Sequence, residues 1–185
     1  MKIKYMEIKI THPLPRLLLP TAYCLLLTVF TGCGYHIAGK GGGMPGNVAT
    51  MSIPFFRNQV QKPDVETFIT TALIDEFVRS NVVKVIDENG EAVLKGAVTG
   101  YVLTPVSFNR NDVIQEYRLT ITLEVELVRS SDGKVLWEDK HITDYEDFKV
   151  SATDINATKT AELDAMKKMA KDTARLIKER MVEGF

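Results

Sequence analysis

The chain has 185 residues, of which 45% are hydrophobic and 25% charged, with 23 basic against 24 acidic side chains. Those totals leave room for one ordinary domain and speak against a polytopic membrane protein, a disordered tail or a multidomain enzyme. A formal charge of −1 also lacks the strong basic footprint of a dedicated nucleic-acid binder, so no nucleic-acid partner is expected.

In chain order, residues 1–32 read as an export signal. Lys2, Lys4, Lys9 and Arg16 precede an apolar run from Leu17 to Phe30 that ends in Thr31-Gly32-Cys33; this is a basic n-region, an h-region and small residues at a cleavage site. The run is about 14 residues long, short of the roughly 20 that a spanning helix needs. Phe30-Thr31-Gly32-Cys33 resembles the bacterial lipobox, with Phe30 standing where leucine is usual. That resemblance implies that Cys33 is acylated and becomes the mature N-terminus; the other reading is an ordinary secretory signal cut near Gly32, with Cys33 left as a thiol. Acyl chains contribute about 0.8 kcal/mol per buried methylene, and two or more hold a protein durably on a bilayer. Cys33 is therefore expected to be a membrane anchor. Gly34 stands where an aspartate would resemble an inner-membrane retention signal, so the expected location is the periplasmic side of the outer membrane. Cleavage removes four basic residues and one acid from a net charge of −1, which leaves −4 on the mature chain.

Residues 33–47 form the lipidated N-terminus and a Gly-rich tether, and residues 48–185 a single domain. Val48 to Phe56 suits a first strand ended near Pro54. From Pro63 the period changes: Val65, Phe68, Ile69, Ala72, Leu73 and Phe77 make one helical stripe closing near Ser80-Asn81. Pro63 and Asp64 suit its first turn. Val82 to Ile86 reads as a short strand, and Ala92 to Leu103 as another, with Gly96 and Gly100 as bulges or points of close approach. The clearest strand alternates Tyr117, Leu119, Ile121, Leu123, Val125 and Leu127 with Glu116, Arg118, Thr120, Thr122, Glu124 and Glu126, which gives one apolar and one polar face. Asp132-Gly133 supplies turn chemistry, and Val135 to Phe148 returns as the antiparallel partner. After Ser151 a second helical stripe carries Met166, Met169, Ala170, Thr173, Ile177 and Met181. Two apolar helical stripes and one apolar sheet face bury one another most economically on one side. The expected fold class is α+β, a mixed, mainly antiparallel four- to five-stranded sheet with two helices packed on one face. Its polar face is left for water or a partner.

Reactive constellations are sparse. The mature domain has His36 and His141 alone among histidines, with no Cys-x-x-Cys or His-Glu-x-x-His spacing, so neither a metal nor a cofactor is expected. No Gly-x-Ser-x-Gly elbow appears. Glu116, Glu124 and Glu126 share a polar strand face and read as solvated charge, while the helical methionines read as core filler. The expectation is a binding protein and not an enzyme.

Several motifs do point to a family. Cys33-Gly34-Tyr35-His36-Ile37, Ser52-Ile53-Pro54-Phe55-Phe56-Arg57-Asn58, the segment from Ser107 to Thr122, and Gly133-Lys134-Val135-Leu136-Trp137-Glu138 together resemble the LptE family of lipopolysaccharide-assembly lipoproteins. The resemblance runs over nearly all of residues 33–182. It implies a plug inside the outer-membrane β-barrel LptD that helps the barrel assemble and binds lipopolysaccharide. In the family a basic residue just before the long strand contacts lipopolysaccharide, and Arg110 occupies the matching position. A second family lysine near the start of the last helix has Lys149 and Lys159 as candidates. Phe55, Phe56 and Tyr101 are candidate barrel anchors, each equally suited to the core. The other reading of Arg110 is a solvated loop residue. Two other functions stand beside this one: a periplasmic lipoprotein that activates or scaffolds a cell-wall synthase or secretion channel, and a hydrolase using the Glu-rich face.

Overall fold

The computed structural model describes residues 43–183. The expected signal, lipobox and lipidated Cys33 lie outside the described residues. The elements run β1 (Thr50–Ser52), β2 (Arg57–Asn58), α1 (Val65–Ser80), β3 (Lys84–Val85), β4 (Ala92–Phe108), β5 (Ile114–Arg129), β6 (Val135–Lys149) and α2 (Ile155–Glu183). The sheet has six strands in the order β3-β1-β4-β5-β6, with β2 also lying beside β4. Pairing of β4 with β5 and of β5 with β6 is antiparallel, whereas β1 and β2 pair in parallel with β4. The α+β class is as expected, with one strand more than the upper expectation.

That extra strand lies just after the first segment. Of the stretch expected to be one strand from Val48 to Phe56, Thr50–Ser52 alone is strand; Ile53 to Phe56, with Pro54 unable to donate to the ladder, leaves the sheet, and the chain rejoins it as β2. Both pieces occupy one lane along β4: Met51 lies opposite Ala92 and Arg57 opposite Ala97. The Phe56 amide donates instead to the buried Thr70 Oγ1 at 3.1 Å, which ties the excursion to α1. Upstream, Pro45–Asn47 forms one 3-10 turn, and Met44 and Val48 on either side of it are already buried.

Alternation on β5 is obeyed without exception over its central part. Leu119, Ile121, Leu123, Val125 and Leu127 are buried on one face, and full burial of such a side chain contributes about 1.5–3 kcal/mol. Over that face lie both helices. Val65, Ile69, Leu73 and Phe77 of α1 are buried, as are Met166, Met169, Ala170, Thr173, Ile177 and Met181 of α2. Asp64 precedes α1 with φ 64° and makes no side-chain cap; its carbonyl accepts the Thr67 and Phe68 amides. Asn81 ends the helix in the left-handed region at φ 52°, its amide donating to the Phe77 carbonyl. Where the helices meet, the buried carboxylate of Glu76 accepts from Lys178 Nζ at 2.7 Å and from Arg79. A carboxylate so enclosed is tolerable only with such partners.

Both glycines expected to mark irregularities in β4 do so. Gly96 lies where the Phe56 ring presses on the backbone, and Gly100 follows a register shift after Val98 and packs on Thr122.

Candidate functional site

Among the described residues, β4 beyond Val98 has only β5 as a strand neighbour, so the far part of the β4–β5 hairpin projects past the region covered by β1 and β2. Its turn is built by Asn109. The Asn109 side-chain oxygen accepts the amides of Asn111 at 2.8 Å and Val113 at 3.1 Å, while its own amide donates to the Val113 carbonyl at 2.9 Å. Asp112 takes φ 57° to close the turn, a conformation that aspartate tolerates better than most residues. Arg110 therefore sits at the tip of the hairpin, and not within the strand leading from it.

Lys149 is the last residue of β6 and lies opposite Glu116, roughly 10 Å of strand back from the turn. Lys159 lies near the start of α2, which leaves the sheet at the same end after the Val150–Asp154 link. The three expected cations thus share one end of the sheet. Among the described residues none of the three is in an ion pair. Around them the hairpin exposes Val102, Leu103, Val106, Phe108 and Val113, and Ile155 at the start of α2 is 74% exposed. This end therefore combines unpaired positive charge with uncovered apolar surface.

On the sheet face turned away from the helices, Arg118, which sequence reasoning placed on a polar face left for water or a partner, has a partner of its own. Its Nε and Nη2 each donate to Asp147 at 2.8 Å, and its guanidinium lies 4.2 Å from the centroid of the exposed Tyr145 ring. The bidentate pair holds the Asp147 carboxyl below its ordinary range and raises Arg118. Cross-strand pairing of Thr120 with Tyr145 and of Arg118 with Asp147 was the missing information, and it depends on register.

Tyr101 faces the helices and is half-buried; its hydroxyl donates to Glu162 of α2, which Lys62 Nζ also approaches at 2.6 Å. Burial raises the Tyr101 phenol, and its bond to the neighbouring carboxylate adds to this. Burial pushes Glu162 up, but the bonds from Lys62 and Tyr101 outweigh it and hold the carboxyl below its usual value. Of the three aromatic residues considered as anchors, Phe56 is in the core, Tyr101 is committed to this cluster, and Phe55 is 69% exposed. No helix of the described residues is long and apolar enough to cross a membrane.

A family model described as LptE, lipopolysaccharide-assembly, matches residues 48–181. No curated protein matches the chain. Among solved structures, a presumed lipoprotein from Caulobacter crescentus is 11% identical with a TM-score of 0.50, covering 70% of this chain and 89% of its own. The minor lipoprotein of Acinetobacter baumannii is 17% identical with a TM-score of 0.49, covering 74% and 92%. Rare lipoprotein B of Shewanella oneidensis is 19% identical with a TM-score of 0.48, covering 73% and 92%. At these identities the likeness is one of fold.

Proposed function

The chain belongs to the LptE family of lipopolysaccharide-assembly proteins, and from that premise we propose that it is an outer-membrane lipoprotein, anchored through Cys33 on the periplasmic side, that works with an LptD-like β-barrel to place lipopolysaccharide at the cell surface. It acts by binding, without a reactive centre of its own. The observation that carries the lipopolysaccharide part is the end of the sheet where Arg110, Lys149 and Lys159, in no ion pair among the described residues, stand at the same end as the exposed Val106, Phe108 and Val113. Lipid A presents phosphates and acyl chains together, and a receptor for it needs cations set among apolar side chains. Arginine suits the phosphate because its planar fork can donate two hydrogen bonds at once.

The open face of the sheet supports the barrel part. Thr104, Thr120, Thr122 and Thr143 lie there with the Arg118–Asp147 pair and Glu124. A barrel lumen is polar, so a plug needs a water-tolerant wall of this kind. The experiment is copurification of the tagged full chain from solubilised outer membranes. A large β-barrel protein in the eluate is the expected result; recovery of a cell-wall synthase or secretion channel without a barrel overturns this reading in favour of the scaffold alternative.

A further inference from the structure

β6 is an outer strand fifteen residues long, paired with β5 on one side and, among the described residues, with no strand on the other. Val150 donates to the Gln115 carbonyl at 2.8 Å, and in an antiparallel ladder the inward and outward residues alternate. The amides of Thr143, Tyr145, Asp147 and Lys149 therefore point away from the sheet. Such a row is a ready template for another strand.

Two amides along this edge are already occupied. The Tyr145 amide donates to Asp144 Oδ1 at 2.8 Å. The His141 amide, displaced where the register shifts opposite Glu124, donates to Asp139 Oδ1 at 3.1 Å. The second oxygen of each carboxylate is held by α2: Thr173 Oγ1 donates to Asp144 Oδ2 at 2.8 Å, and Arg180 Nη1 to Asp139 Oδ2 at 2.6 Å. Each aspartate thus bridges from the helix to an amide of its own strand. Another bare edge, β4 beyond Val98, is guarded differently, by Pro105 and by the register shifts around it.

We propose that Asp139 and Asp144, positioned by α2, are edge guards that stop β6 of one molecule from pairing with β6 of a second copy. Identical edges are self-complementary about a twofold axis, so a second copy is the partner that always has the matching strand. The guard works by occupying donors that the incoming strand would need.

The test uses the full chain in density-matched detergent. Wild type is expected to sediment as a monomer and Asp139→Ala/Asp144→Ala as a dimer. Asp139→Asn/Asp144→Asn keeps a carbonyl acceptor at each position and is expected to remain a monomer. Adding Thr143→Pro to the alanine pair removes an outward donor that β5 does not use, and should restore the monomer. A folded alanine variant that stays monomeric overturns the proposal, as does an asparagine variant that dimerises equally. Should the alanine variant fail to fold, amide exchange in the wild type decides. The His141 and Tyr145 amides should exchange about fivefold more slowly than those of Thr143 and Asp147, as an ordinary net hydrogen bond implies; equal rates overturn it.

Discussion

A methyl group added at Gly96 would stand 2.1 Å from Phe56 Cε2. The aromatic ring occupies the volume that a side chain on β4 would otherwise fill, and it is itself buried under the excursion between β1 and β2. Neither group can retreat, because Thr70 holds the Phe56 amide and Val125 pairs with Gly96 across the ladder. Gly96→Ala should therefore destabilise the domain by about 1–3 kcal/mol. For a domain of this size each kcal/mol corresponds to roughly 2–4 °C in Tm. Thermal unfolding checks it, and an unchanged Tm would show that the ring moves freely.

The cluster of Lys62, Tyr101 and Glu162 makes stability depend on pH. The Glu162 carboxyl is depressed in the folded protein, so its contribution is present above the unfolded value near 4.5 and is lost as pH falls through the lower folded value. Lys62→Met should cost about 0.5–1.5 kcal/mol at neutral pH, a range that allows for the partial exposure of both partners. The gap between wild type and variant should narrow as pH falls below 4.5 toward the depressed folded value of Glu162. Denaturant unfolding at pH 7 and pH 3 measures the two gaps; a gap of the same size at both pH values would rule out this carboxylate as its source.

At the hairpin tip, Arg110→Glu replaces an unpaired cation by an anion while Asn109 still builds the turn. Loss of one charge-assisted contact, about 1.5–3 kcal/mol, corresponds to a decrease in lipopolysaccharide affinity of at least about tenfold. Direct binding to the purified variant measures that loss. Barrel copurification should persist, since the open sheet face is untouched; unaltered lipopolysaccharide affinity would remove Arg110 from the binding surface.

Much of this architecture was legible because β5 and α2 advertise themselves through period alone. Leu119 to Leu127 alternate and are buried together, and Met166 to Met181 repeat at helical spacing and are buried together. The short strands were harder to read. Thr50–Ser52 and Arg57–Asn58 acquire strand character from parallel pairing with β4, residues some forty positions later, and local composition carries no trace of that partner. For the same reason, the sequence placed Arg118 on a polar face without revealing its grip on Asp147. Arg110 was singled out through resemblance to a family; its place at a turn follows from the side-chain chemistry of Asn109 and the left-handed backbone of Asp112.

The seventeen residues of β4 form one strand from beside β1 to the turn that carries Arg110, with register shifts against β5 after Val98 and around Pro105. At about 3.3 Å per residue its reach is at most roughly 55 Å. Gripped at the β1 end, such a lever carries its cationic tip well away from the strands that hold it.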